Sequence, residues 1–152
     1  MAGCFITFEG TEGCGKSTHI KKLASRLKAE GRTVRTLREP GGTESGESIR
    51  HLLKHGPEEL TAEAELLLMN ASRAQLVREV IRPAIAAGEI VLCDRFYDST
   101  TVYQGTGRGR DAAQAQNVIE FAAGETRPDL TLLLQIPLKI SEERRARRAE
   151  TD

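Results

Sequence analysis

A chain of 152 residues is long enough for one domain with its own core, and no internal repeat or low-complexity tract divides it. Twenty-two Lys and Arg balance twenty-two Asp and Glu, so no global field favours nucleic acid or an anionic membrane, and attraction for phosphate has to come from local clusters. No apolar stretch reaches bilayer length, and the first residues hold neither an h-region nor a basic amphipathic presequence, so the expectation is a cytoplasmic protein.

Taken in chain order, the first strand-like run is Phe5 to Phe8, preceded by Cys4. Residues Gly10 to Ser17 then read Gly-Thr-Glu-Gly-Cys-Gly-Lys-Ser, a GxxxxGK[ST] phosphate loop, and Leu23, Ala24 and Leu27 follow at helical spacing. In that setting Gly10 and Gly15 let consecutive N–H groups turn inward, Lys16 brings a positive charge to the β- and γ-phosphates, and Ser17 offers a hydroxyl to Mg²⁺. The candidate nucleotide contacts are Gly10, Thr11, Glu12, Gly13, Cys14, Gly15, Lys16, Ser17 and Thr18. Cys4, Cys14 and Cys93 form no CxxC pair and read as reduced thiols. Cys14, at a helix start among inward N–H groups, is the one whose thiolate could be stabilised.

A second strand-like run, Thr33 to Leu37, ends at Arg38-Glu39-Pro40. His51 and His55 stand one helical turn apart, but Leu52-Leu53-Lys54 between them supplies no catalytic Glu, and the pair is set aside as a metal site. From about Ala62 to Ile81 the pattern Leu66, Leu67, Met69, Leu76, Val77, Val80 predicts a long core helix, with Glu63 and Glu65 near its positive end and Pro83 closing it. Ile90 to Cys93 reads as a third strand ending at Asp94-Arg95. Gly105, Gly107 and Gly109, interleaved with Arg108 and Arg110, follow no strand and read as a mobile basic loop. Ala112 to Ala123 predicts a helix with Asp111 as N-cap, Gln114 in capping-box position and Gly124 as its stop. Leu130 to Ile136, containing Gln135, is the last strand-like run, and Glu142 to Arg148 places Arg144 and Arg148 on one helical face.

Strands alternating with helices imply an α/β fold with a mostly parallel sheet, whose ligands gather beyond the carboxyl ends of the strands. A phosphate loop alone does not separate a kinase from a switch or a motor. Asp94, ending a buried strand, can hold Mg²⁺ through water, and Arg95 beside it can bind an acceptor phosphate, which suits transfer to a phosphorylated nucleotide.

Five motifs in order, Phe8-Glu9-Gly10, Arg38-Glu39-Pro40-Gly41-Gly42-Thr43, Asp94-Arg95-Phe96 with Ser99, Tyr103-Gln104-Gly105, and Arg127-Pro128-Asp129-Leu130-Thr131, resemble bacterial thymidylate kinase. The resemblance implies phosphoryl transfer from ATP to dTMP with Mg²⁺, on a five-stranded P-loop nucleoside-monophosphate-kinase fold, as a homodimer. Carried over residue by residue, it implies that Glu12 holds the acceptor's 3′-hydroxyl and that Arg95, with Arg38, grips its phosphate. Arg73 would read the thymine ring, and Met69 stands where the family usually places a stacking Phe. Ser99, Thr100 and Gln104 match acceptor-site positions, and Tyr103 matches the residue that crowds the sugar 2′ position. The phosphate loop carries no Arg, so the lid, beginning at about residue 139, would supply the cation that neutralises transition-state charge, with Arg148 first and Arg144 second. Gln135 stands where the family usually has an acid.

Measured against the resemblance, the chain stops within the lid at Asp152, which leads to the expectation that Leu130 to Ile136 is a thinly covered edge strand prone to associate. Two other readings of the residues stay open: a kinase for another nucleoside monophosphate or a deoxynucleoside, and a nucleotide-binding fragment without catalysis.

Overall fold

The computed structural model of the chain describes residues 2–56, 59–97 and 112–149. Four strands, β1 (Cys4–Gly10), β2 (Val34–Arg38), β3 (Ile90–Asp94) and β4 (Leu130–Leu134), form one all-parallel sheet in the order β2-β3-β1-β4. The pleat sorts the side chains. Phe5 of β1 and Val91 and Cys93 of β3 join Leu76, Val77, Ile81, Ala84, Phe96 and Ala123 on one face. Phe8, Ile90 and Leu92 join Ile20 and Ala24 on the other. Ile90, Val91, Leu92 and Cys93 are all buried, as expected of a strand covered on both faces. Phe5 and Phe96 meet edge to face, with ring centroids 5.0 Å apart.

Helix α1 (Lys16–Ala29) covers the second face, with Leu23 and Leu27 packed against that cluster, and α2 (Glu44–His55) packs on α3 (Ala62–Leu76). Thr43 caps α2 by accepting the Gly46 N–H at 3.0 Å, and Thr61 caps α3 by accepting the Ala64 N–H at 3.3 Å. The helix beginning at Ala62 does not close before Pro83 as its pattern predicts. A π-helical turn over Val77–Ile81, in which the Arg82 N–H donates to the Val77 carbonyl, leads into α4 (Arg82–Ala86). The wider turn precedes the residue whose ring and missing N–H would break a regular ladder, so the chain continues past the proline.

Helix α5 (Ala112–Ala123) ends where expected, at Gly124 with φ 59°, whose N–H donates to the Glu120 carbonyl at 2.8 Å. Its carboxyl end is held by Arg78, which donates to the Ala122 carbonyl at 2.8 Å. Asp111, the expected N-cap, lies outside the described residues. The Arg127–Thr131 motif proves to be a strand anchor: the Asp129 carboxylate accepts the Phe5 N–H at 2.7 Å, and the Thr7 and Thr131 hydroxyls meet at 2.9 Å. Helix α6 (Leu138–Ala149) follows β4. Among the described residues β4 is an edge, and Leu130 and Leu133 are 49% and 62% exposed, in line with the thin cover expected there. The parallel register puts Gly10 opposite Leu134 and both Phe8 and Arg38 opposite Asp94, so the sheet's carboxyl edge carries the motif residues together.

Candidate active site

At the end of β1 the chain turns sharply through Gly10, at φ 136°, where a Cβ would stand 2.3 Å from the Leu134 carbonyl. Gly15, left-handed at φ 99°, starts α1, and Lys16 is its first residue. Lys16 is 7% exposed, and its ammonium folds back over the loop to donate to the Gly10 and Thr11 carbonyls at 3.0 and 3.1 Å. It also lies 3.8 Å from the Cys14 sulfur and 3.9 Å from Asp94 Oδ1. Ser17 Oγ donates to Asp94 Oδ2 at 3.3 Å. The lysine, hydroxyl and carboxylate singled out in the sequence are thus neighbours at one point of the sheet edge.

Asp94 Oδ1 is buried with no hydrogen-bond partner. A desolvated carboxylate oxygen beside a serine hydroxyl is a hard-donor pair suited to Mg²⁺, which also takes water and substrate phosphate oxygens. Among the described residues no group of three or more His, Cys, Asp or Glu forms a metal cluster, and His51 and His55, with ring centroids 5.2 Å apart, stand as a pair.

The second half of the site rises from the end of β2. Arg38 donates to Glu47 at 2.8 Å, and the same carboxylate accepts the Gly42 N–H at 2.8 Å. The Gly42 bond first, then Arg38, pull the Glu47 carboxyl below its ordinary range. Arg50 donates to the Pro40 carbonyl at 2.9 Å; burial and the nearby Arg38 lower its pKa, while Glu47 and Asp94 work against them. Glu39, in a cis peptide with Pro40, is buried against Arg73. Arg73 Nε and Nη2 donate to Glu39 Oε2 at 2.9 and 2.7 Å, Nη1 donates to Asn70 at 2.8 Å, and the guanidinium lies 5.4 Å from the centre of the Phe96 ring. Burial pushes the Glu39 carboxyl up, with Arg73 opposing it, and pushes the Cys93 thiol well up. Met69 is half-buried four residues before Arg73. Arg95 takes a left-handed backbone, φ 73°, with its N–H donating to the Phe8 carbonyl at 3.0 Å, and the next N–H, of Phe96, donates to Glu9 at 2.8 Å.

On the far side of the loop α6 leans on its apex. Ser141 Oγ donates to the Glu12 carbonyl at 2.6 Å and Arg144 Nη1 to the Gly13 carbonyl at 2.9 Å. Gln135 lines an open groove of about 550 Å³ with Gly10, Thr11, Ile136 and Pro137. Glu12 and Thr18 are exposed, and Gly13 and Cys14 are buried. Ser99, Thr100, Tyr103 and Gln104 lie outside the described residues, with Gly105, Gly107, Arg108, Gly109 and Arg110. Arg148 falls on α6, its side chain likewise outside.

Sequence reasoning missed Glu47, Arg50, Ser72 and Ser141. The first had a local signal, since an acid in the first turn after a Thr cap commonly reaches back to a backbone N–H. Ser72 Oγ accepts the Gly41 N–H at 3.0 Å, a bond between distant segments with no local signature.

A parallel sheet with a phosphate cradle at the head of its first helix, and a carboxylate and arginines at neighbouring strand ends, defines a P-loop protein of the nucleoside-monophosphate-kinase class. The family model described as Thymidylate kinase matches residues 8–152. A thymidylate kinase of Chlorobium luteolum is 56% identical over 131 residues, 86% of this chain and 61% of the relative. One of Pseudomonas savastanoi pv. phaseolicola is 51% identical over 153 aligned positions, 100% of this chain and 73% of the relative. The crystal structure of thymidylate kinase from Ehrlichia chaffeensis superposes with a TM-score of 0.84 at 34% identity, covering 99% of this chain and 87% of that one. The chain belongs to the thymidylate kinase family. It spans 61% to 73% of the length of these two curated relatives.

Proposed function

We propose that the chain transfers the γ-phosphoryl group of ATP to dTMP, giving dTDP and ADP. The observation that carries this reading is the meeting of Lys16, Ser17 and Asp94 at the sheet edge where β2 ends at Arg38, in register with Asp94, and Arg95 follows β3. Donor phosphates lie along the N–H groups of Gly10 to Thr18, with Lys16 neutralising the oxygens that gain charge during transfer. Ser17 and Asp94 would hold Mg²⁺, which when bound neutralises and orients the phosphate oxygens.

On the acceptor side Arg95 and Arg38 grip the dTMP phosphate, and Glu12 accepts a hydrogen bond from the sugar 3′-hydroxyl. The resemblance gives the thymine ring to Arg73, with Met69 packing against it; Arg73 is 1% exposed and held by Glu39 and Asn70, so the ring meets only the edge of a guanidinium fixed in the core. Ser99, Thr100 and Gln104 complete the acceptor pocket, and Tyr103 selects the deoxy sugar. Arg148 of α6 brings positive charge over ATP as the lid closes, and Arg144 joins it on leaving the Gly13 carbonyl that it holds at 2.9 Å. No strong general base is needed, because the attacking group is already an anionic phosphate; alignment and charge neutralisation carry the rate. Residues 1–152 form one P-loop kinase domain with the lid starting at about residue 139, and the protein works as a homodimer in the cytoplasm, a reading that follows the resemblance to bacterial thymidylate kinases.

The test supplies labelled ATP and Mg²⁺ with dTMP, other nucleoside monophosphates and thymidine as acceptors, and sediments the protein alongside. Label in dTDP ahead of all other products is the expected result. Preference for another acceptor, or nucleotide binding with no transfer at all, would overturn the assignment.

A further inference from the structure

We propose that Ser141 is a positioning residue of the phosphate cradle: its hydroxyl fixes the Glu12–Gly13 peptide so that the Gly13 N–H faces the donor phosphates. The proposal rests on the kinase reading above and concerns how α6 shapes the loop. Ser141 is 3% exposed and reaches across 129 positions of chain to the Glu12 carbonyl at 2.6 Å, although a serine near a helix start ordinarily bonds within its own helix. Three residues on, along the same face, Arg144 takes the next carbonyl, that of Gly13, at 2.9 Å.

Contact between the two elements is close. Gly13 has φ 79°, and a Cβ there would stand 3.2 Å from the Ser141 carbonyl oxygen and 3.3 Å from Arg144 Cβ. In a trans peptide the C=O and N–H point in opposite directions. Drawing the Glu12 carbonyl out to α6 therefore turns the Gly13 N–H the other way, and drawing out the Gly13 carbonyl does the same for Cys14. The Cys14 N–H turns away from α6 to the Thr11 carbonyl at 3.3 Å, the same oxygen that Lys16 Nζ meets at 3.1 Å. Ser141 thus acts on the phosphates through the loop backbone and touches none of the reacting atoms.

The test compares the chain with its Ser141→Ala variant, measuring the affinities of ATP, inorganic tripolyphosphate and dTMP, with thermal unfolding as a check on folding. Loss of one ordinary hydrogen bond weakens ATP and tripolyphosphate about fivefold each. Affinity for dTMP, which meets this peptide only through the Glu12 side chain, should fall less than that for tripolyphosphate, and Ser141→Thr, which keeps the hydroxyl, should bind tripolyphosphate more tightly than Ser141→Ala. Unchanged ATP and tripolyphosphate affinities, or an equal loss for all three ligands, would overturn the assignment while leaving the kinase reading intact. If the unaltered chain binds neither ATP nor tripolyphosphate, the kinase reading fails and takes this inference with it.

Discussion

Ser17 Oγ and Asp94 Oδ2, 77 positions apart in the chain, stand 3.3 Å from each other at the sheet's carboxyl edge, joining the phosphate loop to the end of β3. The other oxygen of that carboxylate is buried without a hydrogen bond and faces Lys16 at 3.9 Å. Such a group is held for what it does to a ligand more than for the fold. Asp94→Asn should therefore lower turnover by at least about a hundredfold and raise the Mg²⁺ concentration needed for half-maximal rate about tenfold. Stability should fall by up to about 3 kcal/mol, because the buried Lys16 ammonium loses its anionic neighbour at 3.9 Å while keeping its bonds to the Gly10 and Thr11 carbonyls. Mg²⁺ titration of the rate and a thermal melt check both halves; an unchanged Mg²⁺ requirement contradicts the role.

Lys16 makes the complementary case. Its ammonium bridges the Gly10 and Thr11 carbonyls in a residue 7% exposed, so the charge is already desolvated and held against the phosphate loop. Preorganised charge of this kind acts mainly on the transition state. Lys16→Ala should cut kcat by about a thousandfold, with a smaller effect on the KM for dTMP. Initial-rate kinetics at saturating ATP decide it, and a rate within about tenfold of the parent would remove Lys16 from the mechanism.

The Glu39–Arg73 pair governs stability. With Arg73 1% exposed and Glu39 6% exposed, removing one partner strands the other's charge in the core between β2 and α3. Arg73→Leu is expected to destabilise the fold by about 3–5 kcal/mol, while joint replacement by Glu39→Leu and Arg73→Leu should recover much of that loss. Denaturant unfolding of both single variants and the double variant measures the coupling. Additive losses would show that the pair does not act as a unit.

These cases mark what the sequence made legible. The strands were readable as short β-prone apolar runs, clearest at Ile90 to Cys93, where a strand covered on both faces has to be apolar at every position. Their ends shifted by one or two residues, as where β1 runs on to Gly10 through pairing with Leu134. Lys16, Ser17 and Asp94 were readable because a phosphate-loop motif fixes its backbone, and a parallel sheet brings strand ends together. The π turn over Val77–Ile81 was not, since an apolar stripe followed by Pro83 fits either a stopped helix or a widened one. Nor was Arg73's burial against Glu39, which depends on how β2 meets α3. Ser141 was hidden for the same reason: a hydroxyl reaching a backbone carbonyl 129 positions away leaves no mark in the local pattern.

Glu47 supplies the last prediction, in its response to pH. Its carboxylate accepts the Gly42 N–H and an Arg38 guanidinium, both at 2.8 Å, and its pKa is lowered from the ordinary 4.5, with the backbone bond the largest cause. An acid whose folded pKa lies below its unfolded value binds protons more readily when unfolded. Its contribution is therefore complete above the unfolded value and disappears as pH falls through the folded one. The affected window lies below pH 4.5, and the pair's partial exposure keeps the effect small. Glu47→Gln should lower stability at neutral pH and flatten the acid side of the stability curve, so that parent and variant converge as pH falls. Because Glu47 also orients Arg38, the variant should raise the KM for dTMP about threefold at neutral pH, as expected for a weakened phosphate contact. Urea melts across the acid range and steady-state kinetics at pH 7 test the two effects. A constant stability gap at every pH would show that the Glu47 carboxylate does not carry the bond to Gly42 in solution.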